Sequence, residues 1–172
     1  YVVSDPATGK AAVIDPVLGF SIVSGRTDTV PIDSICEFLE AGDLELEWVL
    51  ESHAHADHLS AAQILKARRG GRVAIGQGIC RVQENFASLF NLKPPFCSDG
   101  SQFDYLFTPD EAFRIGSIEC RVLATPGHTS DSLTYVIGDA AFVGDTLFAP
   151  DVGTARCDFP GGDAVLLWRS IG

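Results

Sequence analysis

A layered α/β fold with a mixed sheet is the architecture this sequence predicts, and three observations predict it. Strand-like and helix-like apolar patterns alternate over residues 1–90. Beyond Pro94-Pro95 the apolar period changes to two, as in strands joined by hairpins. Hydrophobic residues, 46% of the 172, are spread along the whole chain, so a core of ordinary size can form.

The elements follow in order. Val2-Val3 and Ala11 to Ile14 read as two strands joined by a turn at Asp5-Pro-Ala-Thr-Gly9. After a Gly/Ser/Thr-rich loop, Pro31 suits a first helical turn, where a missing N–H costs nothing. Ile32, Ile35, Phe38 and Leu39 line one face of that helix and Gly42 closes it. Leu46 to Leu50 is a short apolar strand ending at a histidine cluster. A helix over about Leu59 to Arg69, with Leu59, Ala62, Ile64 and Leu65 inward, stops at Gly70-Gly71. Arg72 to Ile75 is a strand, and Ile79, Val82, Phe86, Leu89 and Phe90 mark an amphipathic helix. Ile118, Cys120, Val122 and Ala124 alternate with Glu119, Arg121 and Leu123. Leu133 to Ile137 and Ala140 to Val143 then flank the turn Gly138-Asp139. A loop from Pro150 to Gly162 leads to a helix starting at about Asp163. Trp48, Trp168 and Phe103 to Phe107 are expected to pack in the core or an interface. With no repeat or low-complexity linker, residues 1–172 read as one domain.

Twelve Lys and Arg against 23 Asp and Glu give a net charge of −11 with no basic run, which argues against nucleic acid or an anionic membrane as partner. An anionic substrate would have to be held locally, by a metal or a few arginines. The five cysteines are odd in number and never form Cys-x-x-Cys, which fits reduced thiols in a cytoplasmic compartment. No run is long enough for a membrane span and no signal peptide opens the chain. Tyr1-Val-Val-Ser already reads as mid-strand, methionine is absent, and Trp168 to Gly172 breaks off in a helix. The chain is therefore expected to be part of a longer one, incomplete at both ends.

Chemistry concentrates in Glu51-Ser-His-Ala-His-Ala-Asp-His-Leu-Ser60, which holds three of the four histidines. In a loop just past a strand, His53, His55 and His58 can converge while Asp57 joins them or orients one, a donor set suited to zinc or iron(II). A solvated histidine turn, or a helix capped by Asp57, is the plainer alternative. Two later segments repeat the arrangement of strand, small-residue turn and potential ligand: Thr125-Pro-Gly-His-Thr129 delivers His128, and Val143-Gly-Asp-Thr-Leu147 delivers Asp145. Taken alone, His128 would more often be structural and a Gly-Asp turn would carry no information. Sites built from loops at one end of a rigid sheet look like the three together.

These residues resemble the metallo-β-lactamase superfamily, whose His-x-His-x-Asp-His signature is met by His53, His55, Asp57 and His58 and whose later histidine and bridging aspartate are matched by His128 and Asp145. The resemblance spans nearly the whole chain and implies a four-layered αββα sandwich with a metal site at one edge. No histidine follows His128 here, whereas the dinuclear members use one.

The ligand types leave the reaction open. Two zinc ions, one on His53, His55 and His128 and the other on Asp57, His58, Asp145 and a further histidine, would make a hydroxide for hydrolysis. A single iron(II) on two histidines and a carboxylate would leave positions for a sulfur substrate and O₂. Ala149 to Asp163, after Gly144-Asp-Thr-Leu-Phe148, resembles persulfide dioxygenases and the bacterial beta-lactamase hydrolase-like branch, while glyoxalase II enzymes read Gly-Cys-Gly-Arg where this chain has Gly153-Thr-Ala-Arg156. The resemblance thus implies sulfide detoxification: oxidation of glutathione persulfide by O₂ to sulfite and glutathione at one iron(II) per chain. Its ligands would be His55, His128 and Asp145, with His53, Asp57 and His58 nearby or as alternative ligands. Arg156 is the candidate substrate contact, equally readable as a partner of Asp158 or Asp151; Cys157 is a redox thiol or a small buried residue. The alternatives are a dizinc thioester hydrolase of the glyoxalase II kind and a catalytically silent metal-binding sensor or partner domain. The expected partners are a small-molecule thiol or persulfide and, as an option, a second copy in a homodimer.

Overall fold

The computed structural model describes all residues, Tyr1 to Gly172. In chain order the elements are β1 (Val2–Ser4), β2 (Lys10–Ile14), β3 (Gly19–Ser21), β4 (Arg26–Asp28), α1 (Val30–Ala41), β5 (Glu45–Leu50), α2 (Ala62–Arg69), β6 (Arg72–Gly76), α3 (Ile79–Leu89), β7 (Tyr105–Phe107), β8 (Ala112–Ile115), β9 (Ile118–Ala124), β10 (Leu133–Ile137), β11 (Ala140–Phe142) and α4 (Ala164–Ile171). They divide into two units. The first is Tyr1–Glu51, His55–Ala74 and Arg114–Glu119; the second is Ser52–Ala54, Ile75–Phe113 and Cys120–Gly172.

In the first unit β1 and β2 form the expected antiparallel hairpin, while β2 pairs with β5 and β5 with β6 in parallel. Parallel neighbours need long crossovers, and α1 and α2 provide them. The paired residues Ile14 and Leu50 are the last of β2 and β5, so both strands end at the same edge. Fully buried Val13, Val49, Leu50 and Val73 make the strands apolar on both faces, as a covered parallel sheet requires. Ile32 and Leu39 anchor α1, but Phe38 points outward and is 57% exposed. Gly42 keeps a right-handed backbone and Asp43 takes the left-handed turn instead. Residues 19–28, read as loop, form the β3–β4 hairpin: their alternation is too short and polar to stand out. The second helix starts three residues later than predicted, because residues 59–60 pair with Val17 and Leu18 instead of coiling, which leaves Leu59 51% exposed.

In the second unit β9 from Cys120 onward, β10 and β11 lie in the spatial order β11-β10-β9, with β10 antiparallel to both its neighbours. Strands β9 and β11 therefore run the same way and end at the same edge. The period-two expectation for β9 holds in its middle, with Cys120 and Val122 buried and Glu119 and Arg121 exposed, but not at its end, where Ala124 is exposed. β7 and β8 were not anticipated: each is only three or four residues long, below the length at which alternation is legible. Within this unit Gln77 N–H donates to Phe107 O, while Ile75, Ile79 and Val82 pack with Phe86, Phe103 and Leu106. Leu89 and Phe90, expected inward on α3, are 62% and 64% exposed because the helix ends there. The helix expected from about Asp163 is α4, and Asp163 caps it, its Oδ1 accepting from the N–H groups of Val165 and Leu166. Trp168 on that helix is 77% exposed and is no core residue, whereas Trp48 is 3% exposed and donates its indole N–H to Arg114 O. No helix is long and apolar enough to cross a membrane.

Candidate metal centre

The second unit brings His53, His128 and Asp145 together. His128 lies just past the end of β9 and Asp145 just past the end of β11, the two strands that finish at one edge. His53 is held at the same edge because Ser52 O accepts the N–H of Leu133, the first residue of β10, at 2.9 Å. The ligand atoms of the three side chains all lie within 4.8 Å of one another. Asp145 Oδ2 is 3.5 Å from His128 Nε2 and 3.8 Å from His53 Nε2. Both imidazoles are buried, at 6% and 2% exposure, while the Asp145 side chain keeps 34% and gives the group its opening to solvent.

The far side of each ring is held. His128 Nδ1 lies 2.7 Å from Arg156 O, and a carbonyl can only accept, so Nδ1 carries the proton. In the neutral ring Nε2 is then a bare lone pair aimed at the carboxylate. His53 Nδ1 meets Ser52 Oγ at 2.9 Å. The two rings stand edge to face at 5.1 Å, and Phe159 sits edge to face on His128 at 5.5 Å, screening it with an apolar wall.

His55 belongs to a different group, with Asp15 and Glu51 of the first unit. Its Nε2 is 3.1 Å from Asp15 Oδ1 and 3.4 Å from Glu51 Oε2. This follows from the parallel pairing: β2 and β5 end side by side, so the residues that follow them, Asp15 and Glu51, present two carboxylates to one histidine. Glu51 also accepts from the Ser60 hydroxyl. Burial alone would lower the His55 pKa, but the hydrogen bonds and charges of Asp15 and Glu51 prevail and push it up to about 10. His58 and Asp57 form a further group with His55; Asp57 Oδ1 is 3.1 Å from His58 Nδ1, and His58 Nε2 is buried with no hydrogen-bond partner. Asp57 caps no helix, since α2 begins at Ala62 with Ala61 as its uncapped N-cap.

The structure thus joins His128 and Asp145 as the sequence led one to expect, but groups His53 with them, whereas the resemblance implied His55. The substrate candidate Arg156 is engaged with Asp158, its Nε and Nη2 donating to Oδ1 at 2.5 Å and Oδ2 at 2.8 Å, both side chains well exposed. Its backbone carbonyl, not its guanidinium, touches the histidine. Cys157 is half-buried, and burial with the nearby Asp163 and Asp158 carboxylates raises its thiol pKa, so it rests as the neutral thiol. Sequence reasoning missed Asp15, Glu51, Ser52 and Asp131. Asp15 carries the same signal as Asp145, an apolar strand running into a carboxylate, and could have been found by it.

Residues 1–171 match the family model described as Metallo-beta-lactamase superfamily. The chain belongs to that superfamily. A beta-lactamase hydrolase-like protein of Agrobacterium fabrum is 53% identical over 99% of this chain, which spans 39% of that protein. The solved structure of ETHE1 from Myxococcus xanthus, 30% identical, superposes with a TM-score of 0.73 over 99% of this chain and 61% of that one. The mitochondrial persulfide dioxygenase ETHE1 of Homo sapiens is 28% identical over 99% of this chain and 56% of its own length; a hydroxyacylglutathione hydrolase of Acidiphilium cryptum is 34% identical over 76% of this chain and 47% of its own length. The chain therefore spans less than two thirds of each of these relatives.

The metallo-β-lactamase fold expected from the signature is thus the fold of this chain, and the superfamily binds divalent metal ions. The His53–His128–Asp145 group fits one. Ligand bonds of about 2.1 Å place neighbouring ligand atoms about 3.0 Å apart at a right angle and about 3.4 Å at a tetrahedral angle. The observed 3.5 and 3.8 Å separations are close to those and too long for hydrogen bonds. With the ring neutral, the His128 Nε2 lone pair faces the carboxylate across 3.5 Å, an arrangement that a cation between them, metal ion or proton, makes favourable.

Proposed function

We propose that this chain is the metal-bearing part of a persulfide dioxygenase, holding one iron(II) on His53, His128 and Asp145 and oxidising a glutathione-type persulfide. One observation carries the reading: two imidazoles and one carboxylate converge on a point that stays open on the carboxylate side. That donor set is the facial triad of non-haem iron(II) oxygenases. Iron(II), when bound, supplies the redox chemistry with O₂ that zinc cannot. The balanced reaction is persulfide plus O₂ plus water giving thiol, sulfite and two protons. The chain's own residues do the rest: Ser52 and Arg156 O fix the ring orientations, Phe159 screens the His128 ring, and the Arg156 guanidinium, 4.7 Å over the Phe159 ring that abuts His128, would bind a carboxylate of the substrate. In this reading His55 is not a ligand but the partner of the Asp15 and Glu51 carboxylates.

The second reading is a dizinc thioester hydrolase, and the buried Nε2 of His58 favours it, since that atom beside Asp57 could take a second cation. Metal analysis of the purified protein together with an oxygen electrode separates the two. One iron per chain and O₂ uptake with glutathione persulfide, lost in His53→Ala, are expected. Two zincs per chain with thioester hydrolysis and no O₂ uptake would overturn the dioxygenase reading; bound metal with neither turnover would leave a sensor domain.

A further inference from the structure

We propose that Asp131 is a positioning residue that sets the spacing of the two imidazoles in the His53–His128–Asp145 group, an inference that rests on the reading that this group holds the metal. Asp131 is 2% exposed and lies outside that group. Its Oδ2 accepts the N–H of Ala54 at 2.9 Å, the peptide that immediately follows His53. On the other side of His53, Ser52 O accepts the N–H of Leu133 at 2.9 Å. The backbone on both sides of His53 is thus tied to residues 131 and 133, and that segment begins three positions after His128. The separation of the two histidines, 75 positions apart in the chain (128 − 53), is thereby set by one short span of backbone.

Asp131 is itself held in place. A methyl group on Gly78 would come within 2.8 Å of Asp131 Cα and 2.9 Å of Ser130 O, so the turn before α3 packs on this span backbone to backbone. On the His128 side, Thr129 N–H donates to Ser132 Oγ at 3.3 Å, and the two hydroxyls are 2.6 Å apart, closing the loop. A buried carboxylate loses its hydration, and using one where an apolar residue would pack needs a reason. The bond to Ala54 supplies it: only an acceptor at this point fixes the peptide beyond His53.

The test uses cobalt(II) as the probe, titrated into the metal-free chain and followed by its visible absorption, with thermal unfolding of each metal-free variant alongside. Asp131→Asn keeps an acceptor in place and is expected to bind cobalt within about threefold of the parent with the same spectrum, whereas Asp131→Ala is expected to bind about 10- to 100-fold more weakly with a shifted band. Cobalt binding by Asp131→Ala at parental affinity and spectrum, with only a lower melting temperature, would reduce Asp131 to a packing role and overturn the proposal. So would an equal loss in Asp131→Asn. If Asp131→Ala does not fold, Gly78→Ala, which presses on Asp131 Cα and leaves its carboxylate intact, decides: a shifted band supports the proposal and an unshifted one overturns it. His53→Ala is the control. Cobalt retained in His53→Ala sinks the metal reading itself, while cobalt lost there but kept by Asp131→Ala sinks this inference alone.

Discussion

Gly144 and Ser52 approach so closely that a methyl group on the glycine would lie 2.6 Å from the Ser52 hydroxyl oxygen and 3.5 Å from His53 Nδ1. Gly144 also has a φ of 52°, the left-handed region that L side chains avoid. It opens the single 3-10 turn that carries Asp145, so both facts bear on where the carboxylate sits. Gly144→Ala is expected to introduce about 1 kcal/mol of backbone strain and to push Asp145 away from His53. Weaker metal binding at nearly unchanged secondary structure, seen by metal titration and circular dichroism, is the outcome to look for. Parental metal affinity would show that the turn does not set the carboxylate.

The motif was legible and the grouping was not, for a physical reason. His53, His55, Asp57 and His58 fall within six positions, so their clustering is visible in the letters. Which of them meets His128 depends on partners far along the chain: Asp131 on the Ala54 peptide, 77 positions away, and the β2 strand end that brings Asp15 to His55, 40 positions away. Parallel pairing of β2 and β5 creates the Asp15–Glu51 pair, and register between parallel strands leaves no local trace in sequence. Strand β9 was readable from its alternation, β5 and β10 as apolar runs bounded by polar or turn residues, and α1, α2 and α3 from their helical period. β7, β8 and the β3–β4 hairpin, of three or four residues per strand, were too short for any period to declare itself.

Asp5 offers a pH-dependent test of the fold. Its Oδ2 accepts the N–H of Ser117 at 2.7 Å, the Ser117 hydroxyl at 2.8 Å and the Thr8 hydroxyl at 2.7 Å, while Oδ1 takes the Ala7 N–H. The Ser117 peptide first, then the hydroxyls, hold this carboxyl well below the usual carboxylate range. A folded pKa below the unfolded value of about 3.9 means the stabilisation is complete above that value and fades as pH falls through it toward the folded pKa. Asp5→Asn should therefore lower the urea midpoint at neutral pH, and the gap to the parent should narrow at about pH 3. A gap that stays the same at both pH values would contradict this account.

Leu50 is the last residue of β5, fully buried, and immediately precedes Glu51 and the histidine loop. Leu50→Ala leaves a cavity that the paired strands cannot close, and a loss of about 2–5 kcal/mol is expected. Val165 on α4, 60% exposed, is the contrast: Val165→Ala should change stability by no more than about 0.5 kcal/mol. Denaturant midpoints of the two variants check both, and equal effects would mean that Leu50 is not part of a closed core.

Arg156 separates loop stiffening from substrate binding. Its guanidinium grips Asp158 through two bonds and lies 4.7 Å over the ring of Phe159, which in turn abuts His128. An exposed ion pair contributes little to stability, so Arg156→Ala should unfold at nearly the parental midpoint. The Arg156 carbonyl that holds His128 survives the substitution, so metal content should stay constant. If the guanidinium takes a carboxylate of a glutathione-type substrate, KM should rise about tenfold with kcat little changed, the pattern of lost uniform binding. Arg156→Lys should recover only part of that loss, because an ammonium keeps the charge without the planar fork. An unchanged KM in Arg156→Ala, with metal still bound, would leave the side chain as the partner of Asp158 and nothing more.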